Sequence, residues 1–182
     1  IMKNKISKFL NNYWNEIHEK LRILDIKKFE TLKKKFSLLN KKNKIILVGN
    51  GGSASISSHV AVDFTKITGK RAICFNEANL ITCFANDYGY QNWVKESLKA
   101  FAVPGDLIVL ISSSGKSKNL INACKYAKKN KLFVTTFTGF KKGNPLSKLG
   151  NINFWVNSNE YNTIEMVHHI WLLSLVDSFI KK

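Results

Sequence analysis

Between residues 4 and 40 apolar side chains recur at helical spacing: Phe9, Trp14, Ile17, Leu21 and Leu24, then Ile26, Phe29, Leu32 and Phe36. A stripe of this period predicts one long helix or two, and Asp25, a residue type that caps helix starts, marks the break. From residue 45 the period changes. Short runs rich in branched apolar residues, 45–48, 71–76, 107–112, 132–138 and 152–156, have strand length and are bounded by turn formers. Helical patterns fill the gaps at 57–67, 78–85, 91–100, 116–129 and 163–179, while Asn86-Asp87-Tyr88-Gly89 reads as a turn. Strands alternating with helices predict an α/β fold with a doubly wound, mostly parallel sheet. Residues 1–43 form a helical arm, packed on the core or on a partner subunit, and 44–182 form one domain.

Two strand ends carry candidate chemistry. Ile45-Ile46-Leu47-Val48 gives way to Gly49-Asn50-Gly51-Gly52-Ser53 and then to a helix. Glycines let backbone N–H groups approach a ligand closely, and a helix start adds unpaired donors, so this is the pattern of an anion site; it also serves plain chain reversal. A second turn of the same kind follows Ile108-Val109-Leu110-Ile111, with Ser112, Ser113, Ser114 and Ser117 as hydroxyl donors. In a parallel sheet both turns open at the carboxyl ends of strands, where such sheets hold ligands. Together they describe one phosphate cradle.

The last helical stretch holds Glu165, His168 and His169 in an otherwise apolar run. Ionisable groups there are costly to bury unless paired or functional. Glu165 and His169 are four apart, as are His59 and Asp63, so each pair shares a helix face. Brought together, the four would be ligands of types that zinc accepts.

Composition narrows the partners. A chain of 182 residues fits one domain, and a formal charge of +17 would suit nucleic acid. Only Arg22 and Arg71 among 29 basic residues are arginines, however, and phosphate and base recognition leans on the guanidinium fork. Nucleic acid is therefore not the expected partner. The first 44 residues hold 13 basic and 4 acidic side chains, more than half of the net charge. No apolar run reaches the roughly 18 residues of a membrane span, and no charged-then-apolar leader is present, which predicts a cytoplasmic protein. Cys74, Cys83 and Cys124 lack metal spacing and sit in apolar patterns, so free buried thiols are expected.

Gly49-Asn50-Gly51-Gly52-Ser53-Ala54 with His59, then Ala85-Asn86-Asp87-Tyr88-Gly89-Tyr90, then Ile111-Ser112-Ser113-Ser114-Gly115-Lys116-Ser117 resemble, in that order, the phosphoheptose isomerases of the sugar isomerase (SIS) domain group. The resemblance covers about residues 44 to 180, with a similar N-terminal helical arm. It implies a flavodoxin-like three-layer sandwich, a homotetramer joined partly through N-terminal helices, and a phosphorylated sugar as substrate. It places Asn50, Gly51, Gly52, Ser53, Ser112, Ser113, Ser114 and Ser117 at the phosphate, and Asn86, Asp87 and Asn162 at sugar hydroxyls. It implies acid–base groups that in some members bind zinc: here Asp63, Glu165 and His169 for catalysis, with His59, Asp63, Glu165 and His169 as the metal set.

The chain departs from the family pattern in its catalytic groups. Asp63 stands where Glu is usual, Glu165 where Gln is usual, and Leu173 where the last His is usual. His169 lies about 40° from Glu165 around the helix and His168 about 60° the other way, so either could substitute. The expected activity is isomerisation of sedoheptulose 7-phosphate through an enediol, for the heptose of a surface polysaccharide. Either Glu165 or Asp63 would take the proton, with His169 or a metal at the oxygen. The alternative is a non-catalytic SIS module, a sugar-phosphate sensor or protein-binding regulator.

Overall fold

The computed structural model describes residues 2–180, with side chains from residue 4; residue 1 of the expected arm and residues 181–182 of the expected domain lie outside the described residues. The arm is two helices, α1 (Met2–Arg22) and α2 (Ile26–Ser37). The Lys28 N–H donates to Asp25 Oδ1 at 3.1 Å, so Asp25 caps α2 as its residue type predicts. Leu32 and Phe36 of α2 are fully buried, and Ile17, Leu21 and Leu24 pack on the same cluster.

Five strands follow, β1 (Ile45–Gly49), β2 (Ala72–Cys74), β3 (Leu107–Ser112), β4 (Phe133–Thr138) and β5 (Ile152–Trp155). All four pairings are parallel and the order is β2-β1-β3-β4-β5, so the sheet predicted to be mostly parallel is wholly so. The helices between them are α3 (Gly52–Thr68), α4 (Ala78–Tyr88), α5 (Trp93–Phe101) and α6 (Lys118–Lys129), and α7 (Tyr161–Asp177) closes the chain. Successive strand residues point to opposite faces. Ile45 and Leu47 join Phe36, Phe64 and Leu172 on one side, while Ile46 and Val48 join Trp93, Leu98 and Leu120 on the other. Covered on both faces, β1 and β3 are buried along their whole length, which is why they read as continuous apolar runs.

Three expectations are corrected. α3 begins at Gly52, five residues before the predicted start, because the glycine turn flows straight into the first helical turn. Asn86, Asp87 and Tyr88 form the last turn of α4, and the reversal falls on Gly89 at φ +77°. Cys83 is exposed on α4, which has no fully buried residue; Cys124 is buried and Cys74 half-buried.

Candidate active site

The strand order reverses between β1 and β3, and the loops that follow these neighbouring strands open side by side at their carboxyl ends. In the first loop Gly51 adopts φ +56°, a conformation that glycine reaches without strain, and hands the chain to α3. Ser53 is buried in the first turn of α3. In the second loop Ser112 Oγ and Ser117 Oγ are 2.9 Å apart, and Ser114 Oγ accepts from the Lys116 N–H. Ser113 Oγ is buried with no hydrogen-bond partner among the described residues. Gly115, at φ +64°, packs on Asn144, whose amide donates to the Gly139 and Lys141 carbonyls. The serine loop is thus braced from behind.

Glu165, on the first turns of α7, reaches across to this edge. Its carboxylate lies directly on Gly52, where a Cβ would overlap it, and accepts from Ser53 Oγ at 3.5 Å. A negative charge there sits at the positive end of the α3 dipole. Next to it along α3 and α7 runs a line of three ionisable groups. His59 Nδ1 is 2.9 Å from His169 Nε2, and His59 Nε2 is 3.3 Å from Asp63 Oδ2. The Asp63 carboxylate favours the proton on Nε2 of His59. With its proton on Nε2, His59 accepts at Nδ1 from Nε2 of His169, whose Nδ1 keeps its lone pair. Burial, followed by the neighbouring His59, holds the His169 pKa below the ordinary histidine value, against the opposing pull of Asp63. That shift favours the neutral form of His169.

The predicted metal set does not converge on one point. Both ring nitrogens of His59 face a neighbour and Glu165 is turned to Gly52 and Ser53; among the described residues no group of three His, Cys, Asp or Glu side chains is arranged to hold a metal ion. As arranged here, these side chains do not fit zinc.

His168 and His169 have separate environments. His168 is fully buried, with Nε2 3.2 Å from the Thr138 carbonyl and Nδ1 without a partner among the described residues; burial pushes its pKa down to about 4 despite that bond. Of the two, only His169 meets His59. Leu173 packs against the core. Asn86 donates to Asp87 Oδ1 with both exposed, and Asn162 is exposed at the start of α7. The structure also adds two residues to this edge. Asn119 and Tyr90 both bond the side chain of Asn50. Asn119 had a sequence signal, since it shares a helix stripe with Ala123 and Ala127, a polar residue on an apolar face. Tyr90 had none. A hollow of about 490 Å³ between the α1–α2 turn and β5 shares no residue with the predicted site.

A wholly parallel sheet between helical layers, with glycine- and serine-rich loops side by side at its switch point, makes this an α/β domain of the doubly wound class. Comparison with known proteins agrees: the SIS domain model matches residues 12–139. The phosphoheptose isomerase of Thermodesulfovibrio yellowstonii is 38% identical over 136 residues, 71% of this chain and 67% of the relative. That of Helicobacter pylori strain 26695 is 32% identical over 145 residues, 76% of this chain and 75% of the relative. The solved phosphoheptose isomerase of Neisseria gonorrhoeae superposes with a TM-score of 0.85 over 98% of both chains at 24% identity, a likeness of fold. The chain belongs to the phosphoheptose isomerase family of SIS domain proteins.

Proposed function

We propose that this protein is a phosphosugar aldose–ketose isomerase that converts sedoheptulose 7-phosphate to the corresponding heptose 7-phosphate, the supply of heptose for a surface polysaccharide. The observation that carries the reading is the adjacency of the two loops at the switch point with the Glu165 carboxylate laid against Gly52 between them and the His59–His169 pair. The phosphate is held by the loop amides and by Ser53, Ser112, Ser113, Ser114 and Ser117, with the unpartnered hydroxyl of Ser113 as one donor. Asn86, Asp87 and Asn162 serve the sugar hydroxyls. Anchoring the phosphate fixes the far end of the sugar and turns proton transfer into an intramolecular step.

Glu165 takes a proton from C1 of the ketose, and negative charge moves onto the C2 oxygen of the enediolate. Neutral His169, held by His59, takes the proton of the C1 hydroxyl and gives it to the C2 oxygen, the proton on Glu165 returns to C2 to give the aldose, and Asp63 orients His59. Because the working form of His169 is unprotonated, activity falls on the acid side only below its lowered pKa. A zinc ion, found in some members of the family by the resemblance, would require His59 to release one of its two neighbours and Glu165 to leave Gly52.

Val62, Met166 and Ile170 are exposed beside Asp63, Glu165 and His169, and Ile6, Phe9 and Trp14 are exposed on α1. Apolar surface of this kind on the catalytic helices and the arm supports a homo-oligomer, the tetramer that the resemblance implies. No described helix is long and apolar enough to cross a membrane. A phosphorylated-sugar substrate is what supports a cytoplasmic location in this reading. A second reading, a sugar-phosphate sensor without turnover, is favoured by Leu173 alone, which can neither move a proton nor bind metal. Incubation with sedoheptulose 7-phosphate, with and without a chelator, decides between them. The isomerase forms an aldose phosphate in both samples; a sensor binds the sugar and returns it unchanged.

A further inference from the structure

We infer that Asn119, with Tyr90, is a positioning residue that clips the two phosphate loops together through the side chain of Asn50. Asn50 Nδ2 donates to Asn119 Oδ1 at 3.0 Å and Asn119 Nδ2 donates back to Asn50 Oδ1 at 2.9 Å. Two antiparallel bonds between planar amides fix both separation and orientation. The Tyr90 hydroxyl donates to the same Asn50 Oδ1 at 3.1 Å, so that oxygen accepts two bonds. Asn119 is 2% exposed, where a lone amide would be costly; its partner lies 69 residues away in the chain.

The position of the clip gives it a function. Asn50 immediately precedes Gly51 and Gly52, and Asn119 lies two residues beyond Ser117, in the first turn of α6. The pair therefore sets the distance between the donors of one loop and those of the other. A phosphoryl group that takes bonds from both loops needs that distance held before it arrives, since any slack must be frozen out on binding. The Asn50 amide is occupied by this task, so its contribution to the ligand comes through the backbone of its loop. Burying the Asn119 amide would otherwise be an expensive way to join two loops.

The inference rests on the phosphate reading above, and the test separates the two. Wild type, Asn119→Ala, Asn50→Ala, the double variant and Tyr90→Phe are compared for KM and kcat with sedoheptulose 7-phosphate and for the melting-temperature rise given by inorganic phosphate. Asn119→Ala is expected to raise KM about tenfold or more and to abolish the phosphate-induced rise, with kcat changed less than about threefold. The double variant is expected to match the worse single variant, because either substitution opens the clip. Tyr90→Phe, at a half-exposed site that tolerates the change, is expected to raise KM about threefold and keeps the test alive if the asparagine variants do not fold. Unchanged KM in Asn119→Ala or in Tyr90→Phe, or KM effects that multiply in the double variant, would overturn the clip. A wild type that neither binds phosphate nor turns over the sugar would overturn the phosphate reading itself.

Discussion

The two ends of the same pair of strands handle buried polar groups in opposite ways. At the amino ends of β1 and β3, Asp106 is fully buried and accepts from Lys44 Nζ at 2.6 Å, from the Lys44 and Val103 amides at 3.0 Å, and from Asn43 Nδ2 at 3.2 Å. Burial alone would raise the Asp106 pKa, but Lys44 and these N–H donors outweigh it and hold the carboxyl below its ordinary value. At the carboxyl ends, Ser113 Oγ has no protein partner among the described residues and Glu165 has one long bond from Ser53. A charge whose bonds are all made within the chain is a joint. A hydroxyl donor and a carboxylate acceptor with capacity to spare mark a place for a ligand.

If that contrast is right, substitutions at the two ends move different observables. Asp106→Ala leaves the Lys44 ammonium and several amides without an acceptor, and is expected to lower unfolding stability by about 3 kcal/mol, the lower end for a broken buried pair because Lys44 retains some access to water. Below its melting temperature the variant should keep wild-type kcat and KM, read by urea unfolding beside steady-state kinetics. A raised KM would erase the distinction between the ends.

The next effect sharpens the contrast through pH. His168, buried and neutral beneath the carboxyl end, has its folded pKa at about 4, below the ordinary value of 6.5. Between these values the unfolded chain binds the extra proton, so stability is complete above pH 6.5, falls as pH drops toward 4, and loses on the order of 3 kcal/mol from this group. Asp106 acts later: its folded pKa is depressed, so its contribution is present above its unfolded value near 3.8 and is lost only as pH falls through the lower folded value. Denaturant melts of wild type and His168→Gln across pH 4 to 7 should differ in slope over the His168 window. Parallel curves would contradict the assignment.

The smallest expected effect on stability is the most specific to the site. Gly52→Ala places a methyl group where the Glu165 carboxylate now lies, and the movable end of that side chain must give way. Stability should change by no more than about 1 kcal/mol, the ordinary difference between glycine and alanine in a helix. The displaced carboxylate should lower kcat about tenfold or more. Equal losses in stability and activity would mean that Gly52 is only structural.

How much of this was legible beforehand follows from the kind of signal. The sheet was readable because β1 and β3 are buried on both faces and show as unbroken apolar runs between glycine and serine turns. The cap at Asp25 was readable because capping is local. The α3 start was missed because Gly51 and Gly52 suggest a turn even where one of them already belongs to the helix. The His59–His169 contact joins residues 110 apart, and the Asn50–Asn119 pair joins residues 69 apart. No local spacing encodes either one: the packing of α7 on α3 brings the histidines together, and the parallel pairing of β1 with β3 brings the asparagines together. That Glu165 lies on Gly52 was likewise hidden, since it depends on how α7 crosses α3.

The account stands most directly on whether Glu165 removes a carbon-bound proton from a sugar anchored by the two loops. Sedoheptulose 7-phosphate in deuterium oxide, followed by proton NMR at C1 and C2 with wild type and Glu165→Gln, reads that step. The account predicts an aldose product and deuterium at carbon with the wild type, and with Glu165→Gln a loss of about 10³-fold in both while the sugar phosphate still binds. Undiminished exchange in Glu165→Gln, or a wild type that binds the sugar and exchanges no carbon-bound proton, would contradict it.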